Sequence, residues 1–203
     1  MLRKLEQNQT AQRLIDVTVE LIDKQSGVQG VNLRKIAKLA GCAHTNVYNY
    51  FENFDGLLWA AFEHILGQWQ KYGQAHLRID LSPKETFADF IGVQVDFALE
   101  HSGWYRFIWI EPFYGTPPQV IYDLFRGLRG AFLHLIMAAA ENPITEEQGT
   151  VVEEMLHGYC HGDLCKLISR RTFVPNIEQH KQHIMANCRT LLRTLTQAIT
   201  SPL

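Results

Sequence analysis

Six polar residues stand almost consecutively between Ala43 and Phe51: His44, Thr45, Asn46, Tyr48, Asn49 and Tyr50, interrupted only by Val47. Their imidazole, hydroxyl and amide groups donate and accept hydrogen bonds, the chemistry with which proteins meet base edges and phosphates. A second group of a different kind lies far downstream. His157, Cys160, His161, Asp163 and Cys165 are the residue types that ligate metals, and His157 and His161, four apart, share a helix face as zinc ligands sometimes do. Gly158 and Gly162 have the same spacing, which offers another reading: a smooth face along which two helices approach closely. Nothing in the chain combines a nucleophile, an orienting acid and an oxyanion site, so no catalytic residue and no enzymatic activity are expected.

The polar run needs an element to hold it outward. Ile36, Ala37, Leu39 and Ala40 fall at three-and-four spacing on one face of a short helix, with Arg34, Lys35 and Lys38 on the other. Asn32 stands before it as a cap for the first-turn amides, and Gly41 follows it, where a left-handed turn is inexpensive. After a short turn, Thr45 to Tyr50 continues as a second helix with Val47 and Phe51 facing inward. Two helices joined so tightly cannot lie antiparallel, and the pattern predicts a helix-turn-helix that presents its second helix to a DNA major groove. The competing reading is a helical hairpin that only packs. Upstream, Ala11, Leu14, Ile15, Thr18, Leu21 and Ile22 predict a helix from Thr10 to Gln25, ended by Gly27 and Gly30, that covers the open side of the motif. Arg3, Lys4 and Arg13 lie near its start, as phosphate contacts or as plain surface charge.

The series Asn32-Leu33-Arg34-Lys35-Ile36-Ala37, Ala40-Gly41 and Val47-Tyr48-Asn49-Tyr50-Phe51 resembles the DNA-binding domain of TetR-type transcriptional regulators, whose usual form is Thr-x-x-x-Ile-Ala, Ala-Gly, Leu-Tyr-x-x-Phe. The motifs cover about residues 9 to 66. The resemblance implies an all-α fold of about nine helices: an N-terminal three-helix helix-turn-helix DNA-binding domain over residues 1–53, and a C-terminal helical ligand-binding and dimerisation domain over 54–203. It implies a homodimer on a palindromic operator of double-stranded DNA, released by an unknown small-molecule ligand, with no cofactor. Carried over by motif position, Arg34 gives bidentate donors to guanine, Asn46 or Asn49 pairs with adenine, and His44 or Thr45 reaches base edges, while Lys35, Tyr48 and Tyr50 hold phosphates. Two residues depart from the pattern. Ala43 stands where a Ser or similar cap opens the recognition helix, and Phe54 where a Lys usually holds a phosphate.

Across its 203 residues the chain is 46% hydrophobic and 20% charged, an ordinary globular composition. The formal net charge of −2 conceals a split. Residues 1–50 hold seven Lys/Arg against four acids, +3, and residues 51–203 hold twelve against seventeen, −5, a basic head on an acidic body. That balance argues against an architectural protein that coats DNA without reading it. No apolar run reaches the roughly 18 residues of a membrane span, and MLRKLEQNQT lacks the apolar core of a signal peptide, which predicts a cytoplasmic protein with no membrane partner. Cys42, Cys160, Cys165 and Cys188 are widely spread, with no CxxC pair and no disulfide framework.

Beyond Phe51, Asn53 caps a helix carrying Leu57 through Trp69, and Ser82 with Pro83 opens another that runs to about His101. Pro117 or Pro118 opens a helix over 119–140, Thr145 one to about Arg171, and Asn176 the last, to Thr200. No alternating strand pattern is present. Trp104, Tyr105, Phe107, Trp109, Phe113 and Tyr114 crowd into eleven positions. Rings of this kind wall ligand pockets and build ordinary cores equally well. The resemblance tilts the group toward a pocket, and Phe97, Trp104, Phe107, Trp109, Phe113, Tyr122, Phe125 and Tyr159 are the ligand-binding candidates. The alternative function is a helical metal-binding protein or metalloenzyme using the His157 to Cys165 cluster.

Overall fold

The computed structural model describes residues 2–112, 115–172, 174 and 176–200, with side chains from residue 9 onward. Arg3 and Lys4, as side chains, and Phe113 and Tyr114 therefore lie outside the described residues. The described chain is all helical: α1 Leu2–Lys24, α2 Leu33–Ala40, a 3₁₀ helix His44–Asn49, α3 Phe54–His76, α4 Pro83–Glu100, α5 Ser102–Trp109, α6 Gln119–Ala139, α7 Glu146–Ile168 and α8 Ile177–Thr200.

Most helices begin at a local hydrogen bond written in the sequence. The Asn32 side chain accepts from the Lys35 amide at 3.0 Å, Asn53 from Gly56 at 2.8 Å, and Asn176 from Glu178 at 2.8 Å and Gln179 at 3.2 Å. At α7 the exchange is reciprocal. Thr145 Oγ1 accepts from the Gln148 amide while the Gln148 side chain accepts from the Thr145 amide, satisfying two amides that the helix itself leaves open. At α4 Glu85 reaches back to the amide and hydroxyl of Ser82.

The chain forms two compact units, one of residues 1–69 and 101–124, the other of 70–100 and 125–203. In the first, Leu14, Thr18 and Ile22 of α1 are buried with Ile36 and Ala37 of α2, Val47, Leu57, Ala61 and Ile65 of α3, and Phe107 of α5. Periodicity alone does not separate α5 from the helix before it. It lies tight on the end of α1 because Gly103 has no side chain: a Cβ there would stand 2.7 Å from Asp23 Cα and closer still to the Ile22 carbonyl oxygen. Trp104 Nε1 donates to the Val19 carbonyl at 3.0 Å and His101 Nδ1 meets Asp23 at 2.9 Å, holding the same junction. In the second unit Phe87, Ile91 and Val95 of α4, Ile136 of α6, Val152 and Leu156 of α7, and Ile184, Cys188 and Leu192 of α8 make the core. Lys181 ties α8 to Asp96 of α4 with 2.7 Å contacts to both carboxylate oxygens.

Candidate nucleic-acid interface

Building the polar surface starts from one buried residue. Val47 is 0% exposed and lies in the middle of the 3₁₀ helix, so the residues on either side of it have only the outside to occupy. His44, Thr45, Asn46, Tyr48 and Asn49 are exposed, Tyr48 at 54%, and Tyr50 is half-buried. The preceding α2 runs from the Asn32 cap to Gly41, which takes φ 75° and ψ 32°. There the Cys42 amide returns to the Ala37 carbonyl at 3.0 Å, a left-handed close that a side chain would strain. Arg34, Lys35 and Lys38 are exposed along α2, and none takes part in an ion pair among the described residues. With the Gln25 amide in its satisfied orientation, its oxygen accepts from Lys35 Nζ at 3.2 Å. Arg13 of α1 brings a guanidinium nitrogen to 3.9 Å from where a Gly41 Cβ would be, so a fourth cation stands beside the turn.

Two local expectations change. The second element is a six-residue 3₁₀ helix rather than an α-helix over Thr45 to Tyr50. Ala43 offers no side-chain acceptor to its first turn, and the closing bonds run from Asn46 to Ala43 and from Tyr50 to Val47, at 2.9 and 3.0 Å. So short a segment cannot recover the cost of starting a regular α-helix, and the tighter winding is the usual result. Leu39, placed on the apolar face, is 52% exposed. Only Ile36, Ala37 and Ala40 of α2 are buried, and at about 100° per residue Leu39 projects roughly 110° from the centre of that stripe.

A tether that sequence reasoning missed enters from 83 positions away. Glu111, just past α5, accepts from the Val28 amide at 2.7 Å and lies against Gly27, where a Cβ would collide with its carboxylate and where the φ of 137° is one that side chains rarely adopt. Within the first unit this fixes the loop that enters α2.

The aromatic candidates are spread differently. Phe107 packs edge-on against Phe62 at 5.6 Å and Trp109 against Trp69 at 6.0 Å, while Trp104 stacks on His101 at 3.9 Å. These belong to the first unit, as does the exposed Tyr122. Phe97, Phe125 and Tyr159 belong to the second, where Phe97 meets Tyr72 and the Tyr159 hydroxyl accepts from Asn187 at 2.7 Å. Burial and the Asp163 carboxylate beside it push the Tyr159 phenol well above the usual tyrosine range, against the opposing Asn187 hydrogen bond. A cleft of about 270 Å³ in the second unit is lined by Lys84, Phe87, Glu141, Arg189, Leu192 and Arg193 among others, and by none of those candidates.

In the downstream cluster the ligand types separate. His157 and His161 lie parallel at 6.2 Å, His161 Nε2 is 3.5 Å from Cys165 Sγ, and Asp163 accepts from Lys166 at 2.6 Å. Burial first, and His157 second, press the His161 imidazole below its ordinary range. Among the described residues no group of three or more His, Cys, Asp or Glu side chains is placed to hold a metal ion. No described helix is long and apolar enough to cross a membrane.

No protein-family model matches the chain. Over 173 residues it is 23% identical to nucleoid occlusion factor SlmA of Actinobacillus pleuropneumoniae, spanning 83% of this chain and 85% of that protein. Over 111 residues it is 31% identical to HTH-type transcriptional regulator BetI of Paraburkholderia phytofirmans, spanning 52% of this chain and 55% of that one. Among solved structures, a TetR-family transcriptional regulator from Streptomyces coelicolor aligns with a TM-score of 0.71 at 18% identity, over 95% of this chain and 83% of that one. The transcriptional regulator FadR of Bacillus subtilis, in complex with stearoyl-CoA, aligns at 0.65 and 18% identity, over 91% and 97%. At such identities the shared property is the fold.

Proposed function

We propose that the chain, which shares its fold with a TetR-family transcriptional regulator, is a sequence-specific DNA-binding regulator, a repressor released by a small molecule. The observation that carries this reading is the outward row His44, Thr45, Asn46, Tyr48 and Asn49 on a fully buried Val47, flanked by the exposed cations of α2. Residues 1–53 form the DNA-binding head in this reading. Arg34, Asn46 and Asn49 supply the paired donors and acceptors that distinguish bases, His44 and Thr45 reach base edges, and Lys35, Tyr48 and Tyr50 fix the register on phosphates.

One head reads one half-site, and two heads meeting successive major grooves about 34 to 36 Å apart require a symmetric pair of chains. The outer face of α7 supports that second copy. Val151 and Met155 are exposed there at 41% and 52%, and Gly158 and Gly162 have nothing within 4 Å of where a Cβ would be. The FadR neighbour holds stearoyl-CoA; the ligand of this chain is a small molecule met by aromatic side chains, with Trp104, Phe107, Trp109 and Tyr122 the candidates in one unit and Phe97, Phe125 and Tyr159 in the other. By linkage, such a ligand weakens DNA binding by the same factor with which DNA weakens ligand binding.

Selection of bound sequences from a random duplex pool tests the reading. A palindromic consensus with half-sites one helical turn apart is expected, and Arg34→Ala is expected to relax base preference at one position in each half-site. No enrichment at low salt overturns the proposal. An unchanged preference profile in Arg34→Ala removes that residue's role.

A further inference from the structure

Two cysteines that are 28 positions apart in sequence meet where α7 packs on α8 in the second unit. Cys160 Sγ and Cys188 Sγ are 3.2 Å apart, inside the range of a thiol hydrogen bond and about 1 Å beyond the length of a disulfide. One residue back on each helix, Asn187 donates to the Tyr159 hydroxyl at 2.7 Å, so the two side-chain pairs lock the same point of the helix crossing. The two residues differ in exposure. Cys188 is fully buried, while Cys160 is half-buried. Cys42 lies in the turn of the other unit and Cys165 beside His161.

We propose that Cys160 and Cys188 form an oxidisable pair that peroxides convert to an intrachain disulfide between α7 and α8. Cys160, the more exposed residue of the pair, attacks the peroxide as its thiolate: an S–O bond forms, the O–O bond breaks, and hydroxide leaves to become water. Cys188 then attacks the resulting sulfenic sulfur. The S–S bond forms, the S–O bond breaks, and the departing oxygen takes up the Cys188 proton and leaves as a second water. The two thiols give up two electrons and one hydrogen peroxide accepts them. The hydrogen bond to Cys160, and then burial, hold the Cys188 thiol protonated, which leaves the first attack to Cys160. Apposition at contact distance makes that second step intramolecular, so capture of the sulfenic acid by Cys188 precedes further oxidation.

The test treats the reduced full chain with hydrogen peroxide, then denatures it without reductant and counts thiols. The four cysteines are expected to fall to two reactive thiols per chain, with a mass loss of two hydrogens, full reversal by dithiothreitol, and a linked peptide pair containing Cys160 and Cys188. A chain carrying Cys42→Ser and Cys165→Ser is expected to fall from two thiols to none. Cys160→Ser is expected to abolish the linkage. A disulfide between chains, a linkage through Cys42 or Cys165, or conversion of Cys160 to sulfinic acid without linkage overturns the proposal. The peptide map is made on the unmodified sequence, so the test remains decisive even where a serine variant folds poorly.

Discussion

Replacing Gly103 by alanine tests whether the α1–α5 junction is as close as the structure places it. A helix ordinarily gains from this change, by roughly 0.8–1 kcal/mol in a helix interior. Here the added methyl would lie 2.7 Å from Asp23 Cα and 2.8 Å from its carbonyl oxygen, and nearer to the Ile22 carbonyl, where ordinary contact needs about 3.5 Å or more. All three obstacles are backbone, so no rotamer change relieves them and one helix must shift by the better part of an ångström. Overpacking of this sort costs roughly 1–3 kcal/mol, and with backbone on every side the upper end applies. Set against the propensity gain, the net loss is about 2 kcal/mol, which for a chain of this length lowers Tm by roughly 4–8 °C. The comparison is Gly67→Ala in the middle of α3, where nothing lies within 4 Å of the new methyl. That variant keeps the gain, up to about 1 kcal/mol and roughly 2–4 °C. Both are measured by thermal unfolding followed by circular dichroism at one protein concentration, since any self-association shifts Tm with concentration. A Gly103→Ala chain as stable as the starting protein, or changes of the same sign in both variants, refutes the close junction.

Ala43 already has N-cap geometry, φ −71° and ψ 144°, without a side-chain acceptor. Ala43→Ser is expected to add about 1 kcal/mol of stability and to tighten operator binding; an unchanged or lower midpoint in urea shows that the first turn gains nothing from a cap. Glu111→Ala removes the acceptor of the Val28 amide, expected to cost about 1 kcal/mol and to speed amide exchange at Val28 selectively, and exchange that rises equally throughout α1 and α2 counts against a local tether. Acidification reports on Asp89. Burial works to raise its carboxyl, but hydrogen bonds from the Arg78 side chain and amide outweigh burial and hold it below the ordinary range. A depressed carboxyl contributes stability that is complete above the unfolded value of about 3.9 and disappears as pH falls through the folded value. Asp89→Asn is therefore expected to flatten the loss of stability as pH falls below about 4, and an acid limb as steep as before excludes that contribution.

The features legible in the sequence are those settled within one turn of helix. Asn32 and Asn53 cap the helices that follow them, as their positions predict, because a side-chain oxygen three residues before an open amide needs no knowledge of the rest of the fold. The polar row of the candidate interface is legible for a similar reason: burying Val47 turns its neighbours outward whatever packs behind it. What stays hidden depends on distant residues. Nothing near Gly103 announces the carbonyl of Ile22, Glu111 reaches Val28 across 83 positions, and Cys160 meets Cys188 only because α7 and α8 pack together.

The ligand candidates show why one half of a site can be read and the other not. Phe107 and Phe97 are 1% and 3% exposed, and each has an aromatic neighbour at 5.6 and 5.3 Å, so both meet in full the preference that would also bring them to a pocket wall. Aromatic residues enter cores and pockets for the same reason, removal of a large apolar surface from water, and residue type cannot separate the two outcomes. A polar residue on a DNA-reading element is distinguished because solvent exposure and hydrogen-bonding capacity coincide there. The same criterion applied to the aromatic set favours Tyr122, which is 49% exposed, over the buried rings as the first residue to substitute in a ligand-binding assay. A ring already filled by its own fold gains little from a ligand, whereas an exposed one still has apolar surface to remove from water.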